Sequence, residues 1–131
     1  MPKCVVTQED FDWQKDRLPK HPWSKTVIYE THVRGCTVHP SSDVKNPGTY
    51  RGLIEKIPYF KELGVTALEL LPIQEFNEGQ SRRFYPQTLK PIKNYWGYDS
   101  VIFFAPKASY SSLKGLGQQK QEFHDESCNL S

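Results

Sequence analysis

No run in the sequence approaches the roughly 18 consecutive apolar residues of a membrane span, and apolar residues make up only 37% of its 131 positions. No membrane partner is expected, and there is little material for an independent core. Cysteine is scarce too. Cys4, Cys36 and Cys128 are odd in number, far apart and without a CxxC pair, so neither a disulfide framework nor a zinc site is indicated and free thiols are the default. The four histidines, His21, His32, His39 and His124, show no HExxH or other paired spacing, and no metal is expected. GxGxxG and GxxxxGK are absent, so nothing cradles phosphate and no cofactor is expected. A net charge of +2 lies too near neutrality to point to nucleic acid. The opening MPKCVVTQED has no basic stretch followed by a long apolar one, the pattern of a secretory leader, and a soluble, cytoplasmic chain is the expectation.

Proline and glycine, by contrast, are plentiful at 10 and 8, which predicts few regular elements separated by long loops. In residues 1–25 the only apolar cluster is Cys4-Val5-Val6, read as one short strand, followed by an extended linker with Trp13, Pro19, Pro22 and Trp23. Residues 26–33, TVIYETHV, are β-branched and aromatic and stop at Arg34-Gly35, which predicts a buried strand. Glu30, His32 and Arg34 alternate along it and would share one face. These groups either satisfy one another and the next loop or belong to a site. Loop chemistry is expected over residues 36–49.

Thr49 is placed to cap a helix from Tyr50, with Leu53, Ile57 and Phe60 at helical spacing and Ile54 and Leu63 alongside. Pro58 within it predicts a kink or two short pieces. Gly64 closes the helix, and VTALELL, residues 65–71, follows as a second strand. Strand, helix, strand is a βαβ unit with parallel strands. Residues 74–93 then form a long polar connection, a length that tends to be functional, and Arg82-Arg83 within it reads as a solvated face.

That connection leads to residues 94–106, NYWGYDSVIFFAP. Tyr95, Trp96 and Tyr98 surround Gly97, whose missing Cβ lets the chain turn and point the rings in different directions. Behind them Val101, Ile102, Phe103 and Phe104 read as a buried strand or a core-packed connection stopped by Pro106. A sugar ring has a face of C–H groups that stacks on an aromatic plane and a rim of hydroxyls that needs donors and acceptors, such as Asn94 and Asp99 supply. Ordinary packing of the three rings is the alternative. Residues 118–123 open another helix, and HDESCNLS offers no apolar face to continue it.

VIYETHVRG, GTYRGLIEKIPYFKELGVTALELLP and NYWGYDSVIFFAPKASYSS, in that order and spacing, resemble the α-amylase superfamily of glycoside hydrolases, and within it the isoamylase-like glycogen debranching enzymes. The resemblance runs over most of the chain, from about residue 2 to 123. It implies an α/β fold that is a truncated, partial (β/α)8 TIM barrel: the first βαβ unit plus the long loop after the second strand. Residues 1–25 would be a linker from a missing N-terminal β-sandwich domain, 26–123 the start of the catalytic domain and 124–131 a divergent tail. Tyr98 would stack on the sugar at the cleavage point, Trp96 and Gly97 would shape its loop, and Asp99 would be a further, more variable substrate contact.

The family's nucleophile, acid/base glutamate and third aspartate belong to later strands, so no catalytic residue is expected here. Glu69, Glu75 and Asp99 match none of those roles. Retaining hydrolysis needs two carboxyl groups about 5 Å apart across the bond. The resemblance therefore implies part of an enzyme that hydrolyses α-1,6-glucosidic branches, inactive alone, with glycogen or maltooligosaccharide and the remainder of a split enzyme as partners. A non-catalytic α-glucan-binding fragment and a truncated product without function are the alternatives.

Overall fold

A computed structural model of the chain describes residues 4–6, 12, 17, 19–80, 83–115 and 117–130. The elements are β1 (Ile28–Thr31), α1 (Val33–Thr37), α2 (Tyr50–Glu62), β2 (Ala67–Leu70), β3 (Gln74–Phe76), β4 (Ser100–Pro106) and α3 (Gln118–Leu130). Single 3-10 turns stand at Trp23–Lys25, Pro40–Ser42, Glu78–Gln80 and Ala108–Tyr110. The fold is mixed α/β. β1 and β2 pair in parallel, from Ile28 opposite Ala67 to Thr31 opposite Leu70, with α2 in the crossover. β3 and β4 form a separate antiparallel pair whose register shifts on both sides of Glu75. No helix among the described residues is long and apolar enough to cross a membrane.

The crossover follows from its local chemistry. Thr49, in extended conformation, accepts the Gly52 N–H on its hydroxyl and caps α2. Leu53, Ile57 and Phe60 are buried as their spacing predicts, while Leu63 is not. Pro58 neither splits nor stops the helix, which runs through it to Glu62; the side chain is on the exposed side. Gly64 turns left-handed at φ +77°. Its N–H donates to Lys61 and that of Val65 to Phe60, the paired reverse bonds that satisfy a helix end.

Elsewhere the elements depart from the pattern. β1 stops at Thr31 because the His32 side chain accepts the Gly35 N–H and starts α1, where the sequence reads strand and then loop. Glu30 is therefore the one member of the expected polar face that lies on a strand. Cys4-Val5-Val6 is exposed and forms no strand, Trp23 is 86% exposed, and Trp13 and Arg82 lie outside the described residues. α3 continues past Phe123 to Leu130, since HDESCNL contains neither proline nor glycine to end it.

Val101 to Phe104 do lie on a strand, but an exposed one: Phe103 and Phe104 are 73% and 101% accessible. β3 spans only three residues against the seven of β4, and no described element covers the outer side of these rings. The core lies elsewhere. Val33, Tyr50, Leu53, Phe76 and Tyr110 cluster between the helices, β3 and the Ala108–Tyr110 turn, with Cys36, Leu70, Ile73 and Phe123 packed against them.

Candidate functional site

β1 delivers His32 to the position just beyond its carboxyl end, and the aromatic loop is built upon that side chain. The Tyr95 ring lies on the imidazole with centroids 4.3 Å apart and planes within 12°. Its hydroxyl occupies the space that a Cβ on Gly35 would need, 2.6 Å from it. His32 Nε2 is 3.0 Å from the Tyr95 carbonyl and 3.0 Å from the Tyr110 hydroxyl. Nδ1 accepts the Gly35 N–H at 3.0 Å, so the proton resides on Nε2, which donates to the Tyr95 carbonyl. Trp96 stands edge-on to both rings, 6.1 Å from His32 and 5.3 Å from Tyr95.

The turn that follows is tied from behind. Gly97 has φ +74° and is backed by the Phe76 ring, which an added Cβ would approach to 2.6 Å. Asn94 accepts the Gly97 N–H on Oδ1 at 3.2 Å and donates through Nδ2 to the Asp99 carboxylate. Trp96 and Tyr98 are thereby left 55% and 73% exposed on the surface. Asp99 is exposed beside them, with one oxygen occupied by Asn94.

Beneath the loop lies a polar cluster absent from the sequence reading. Lys107, 5% exposed, donates to Glu75 at 2.6 Å and to the Phe76 carbonyl at 2.7 Å, with its ammonium 4.4 Å from the Phe76 ring centroid. Glu75 also accepts the Ala108 N–H. Glu78 accepts from Ser109 at 2.6 Å and from Arg34 at 3.3 Å, and Arg34 lies over the Tyr110 ring. Glu75, Glu78 and Lys107 had no local signal, because charged residues in a polar connection ordinarily face solvent. Here the connection folds back, and β3 and the Glu78–Gln80 turn bring Glu75 and Glu78 to the end of β4. Among the described residues no group of three or more His, Cys, Asp or Glu is placed to hold a metal.

The electrostatics follow from this packing. Burial lowers the His32 pKa, Arg34 adds to the effect, and the Tyr95 carbonyl opposes it. Burial pushes the Tyr110 phenol up to about 12, Arg34 opposing and Glu78 reinforcing. For Glu78 burial works upward, but Ser109, Arg34 and Lys107 outweigh it and hold the carboxyl at about 2 against an ordinary 4.5. A depressed carboxyl contributes stability above the ordinary value and loses it as pH falls through the folded one. Near-UV circular dichroism in acid is therefore expected to show tertiary structure weakening from about pH 4.5 toward 2. Glu78→Gln should be less stable at neutral pH and flatter across that window; an unchanged acid profile would show that Glu78 does not carry it.

No family model matches the chain. Over 129 residues it is 46% identical to a glycogen debranching enzyme of Serratia proteamaculans, an alignment covering 95% of this chain and 19% of that protein. Over 111 residues it is 44% identical to the chloroplastic isoamylase 1 of Arabidopsis thaliana, covering 83% and 14%. The chain is isoamylase-like, matching one part of proteins named glycogen debranching enzyme and isoamylase. Among solved structures, a pullulanase type I from Bacillus subtilis complexed with maltose matches with a TM-score of 0.76 at 32% identity, over 96% of this chain and 18% of that one. The chain thus spans about a fifth of the length of the debranching enzyme and the pullulanase.

Proposed function

We propose that the chain carries one wall of the sugar cleft of a hydrolase acting on α-1,6-glucosidic branches. Tyr98 and Trp96 contact an α-glucan, glycogen or maltooligosaccharide, with Asp99 at the rim. The observation that supports this best is the pair of exposed rings on a loop whose backbone is held from behind by His32, Phe76 and Asn94. Similarity to a pullulanase complexed with maltose adds to it. In this proposal β1, α2 and β2 are the first βαβ unit of a (β/α)8 barrel.

The chain does not cleave glucan alone. Retaining hydrolysis requires two carboxyl groups about 5 Å apart across the bond, one to attack and one to give a proton. The acids of the loop and the cluster beneath it are bound to other groups: Glu75 to Lys107, Glu78 to Arg34 and Ser109, Asp99 to Asn94. In this proposal the missing pair comes from strands other than those described here.

Co-sedimentation with glycogen tests the contact. Tyr98→Ala is expected to weaken retention by about 1 kcal/mol, roughly fivefold, the worth of one stacked ring. Equal retention of variant and parent would remove Tyr98 from the site. The purified chain should release no linear maltooligosaccharide from glycogen, and release by it alone would overturn the division of roles.

A further inference from the structure

We propose that His32 is a positioning residue that acts through Tyr95 and holds the Trp96 ring in place only while its imidazole is neutral. The purpose of that ring rests on the glucan contact proposed above; the positioning rests on the geometry alone.

The imidazole is claimed from two sides at once. Nδ1 must accept the Gly35 N–H, which starts α1, and Nε2 must donate to the Tyr95 carbonyl, which places the loop. Only the neutral Nε2–H tautomer does both. A second proton would set Nδ1–H against the Gly35 N–H. No rotation of the ring then serves both neighbours, since the cation has two donors and no acceptor. Turning away from Gly35 takes the imidazole from beneath the Tyr95 ring, and Trp96, edge-on to both rings, loses its support.

The groups around the imidazole favour the neutral form. From α1 comes the Arg34 guanidinium, which repels a second positive charge. The aromatic loop contributes the Tyr95 and Trp96 rings and also the Tyr95 carbonyl, which pulls the other way and raises the pKa; the turn after β4 contributes the Tyr110 hydroxyl, a neutral phenol throughout the range that matters. Nearby carboxylates are already engaged, Glu78 by Arg34 and Ser109 and Glu75 by Lys107. Burial completes the bias, and the His32 pKa is lowered.

An NMR titration of the full chain from pH 8 to 4 tests this, following the His32 ring protons and the Trp96 indole N–H, with the exposed Trp23 as reference. Trp96 should shift with the midpoint of His32, below the ordinary histidine value of 6.5, while Trp23 stays unmoved. His32→Asn, whose side-chain oxygen can accept the Gly35 N–H without titrating, should abolish the midpoint in Trp96. If that variant does not fold, coincidence of the two midpoints in the parent decides the matter. His32 titrating while Trp96 stays still, or Trp96 titrating unchanged in the variant, would overturn the proposal.

Maltotriose added at each pH separates this from the proposed function. Its apparent affinity should fall about tenfold one unit below the His32 midpoint, where about a tenth of the molecules remain competent. Affinity equal at both pH values would refute the positioning and leave the glucan contact standing. No maltotriose response at any pH, with the midpoints still coincident, would do the reverse.

Discussion

Replacing Glu122 by alanine is expected to lower the stability of the chain by about 3–5 kcal/mol, a large part of what a domain of this size possesses. The Glu122 side chain is fully buried. Its carboxylate accepts the Arg51 N–H at 3.0 Å, the Ser112 N–H at 2.8 and 3.0 Å, the Leu113 N–H at 3.3 Å and the Ser111 hydroxyl at 2.7 Å. Burial pushes its pKa up, but these donors more than compensate, and the net shift is downward. Arg51 lies in the first turn of α2, where N–H groups have no partner within the helix. Glu122 therefore completes the cap that Thr49 begins and fastens α3 to α2. Alanine removes the acceptor and leaves the donors stranded, at about 1–3 kcal/mol for each buried group. Thermal melting by far-UV circular dichroism should show a much lower midpoint or no cooperative transition. Glu122→Gln keeps one acceptor oxygen and should fall between; an alanine variant melting with the parent would show that α3 is not held in this way.

Gly97→Ala should cost about 2–4 kcal/mol and disturb the aromatic loop as well. Two effects combine there. The φ of +74° strains any L side chain, and the added Cβ would meet the Phe76 ring at 2.6 Å, in a core where Phe76 is 2% exposed. Gly64 separates them, because it has φ +77° with nothing within 4 Å of an added Cβ. Gly64→Ala should therefore show only the conformational cost of about 1–2 kcal/mol. Urea denaturation of the two variants reads the difference, and acrylamide quenching of Trp96 reads the loop. Equal losses at both positions would mean that Phe76 yields to the methyl group without cost.

The crossover was legible because its signals are local. Thr49, the Leu53, Ile57 and Phe60 spacing and Gly64 each act within a few residues of where they stand, and all three hold in the structure. Of the two outcomes read from Pro58, the break into two pieces does not occur, because an exposed position within an otherwise well-packed helix absorbs the loss of one hydrogen bond. For the candidate site, the aromatic stretch was readable from composition, but whether its rings pack or stand open was not, and neither was its foundation. His32 and Tyr95 are 63 positions apart, and Arg51 and Glu122 are 71; nothing in either neighbourhood announces the other. The burial of Val101 to Phe104 was inferred from apolarity alone, and apolarity says which residues gain from a cover without supplying one. Glu30, His32 and Arg34 show the same limit, since one side-chain cap ended the strand that their alternation assumed.

The bare strand β4 sets the working conditions for every measurement on this molecule. Its seven residues, SVIFFAP, carry no charge, and among the described strands only β3 occupies one of its sides. Uncharged apolar edges of this kind template pairing with their own kind. Handled at high concentration, the chain would be expected to drift from solution into ordered aggregates, so dilution sets the ceiling for work with it.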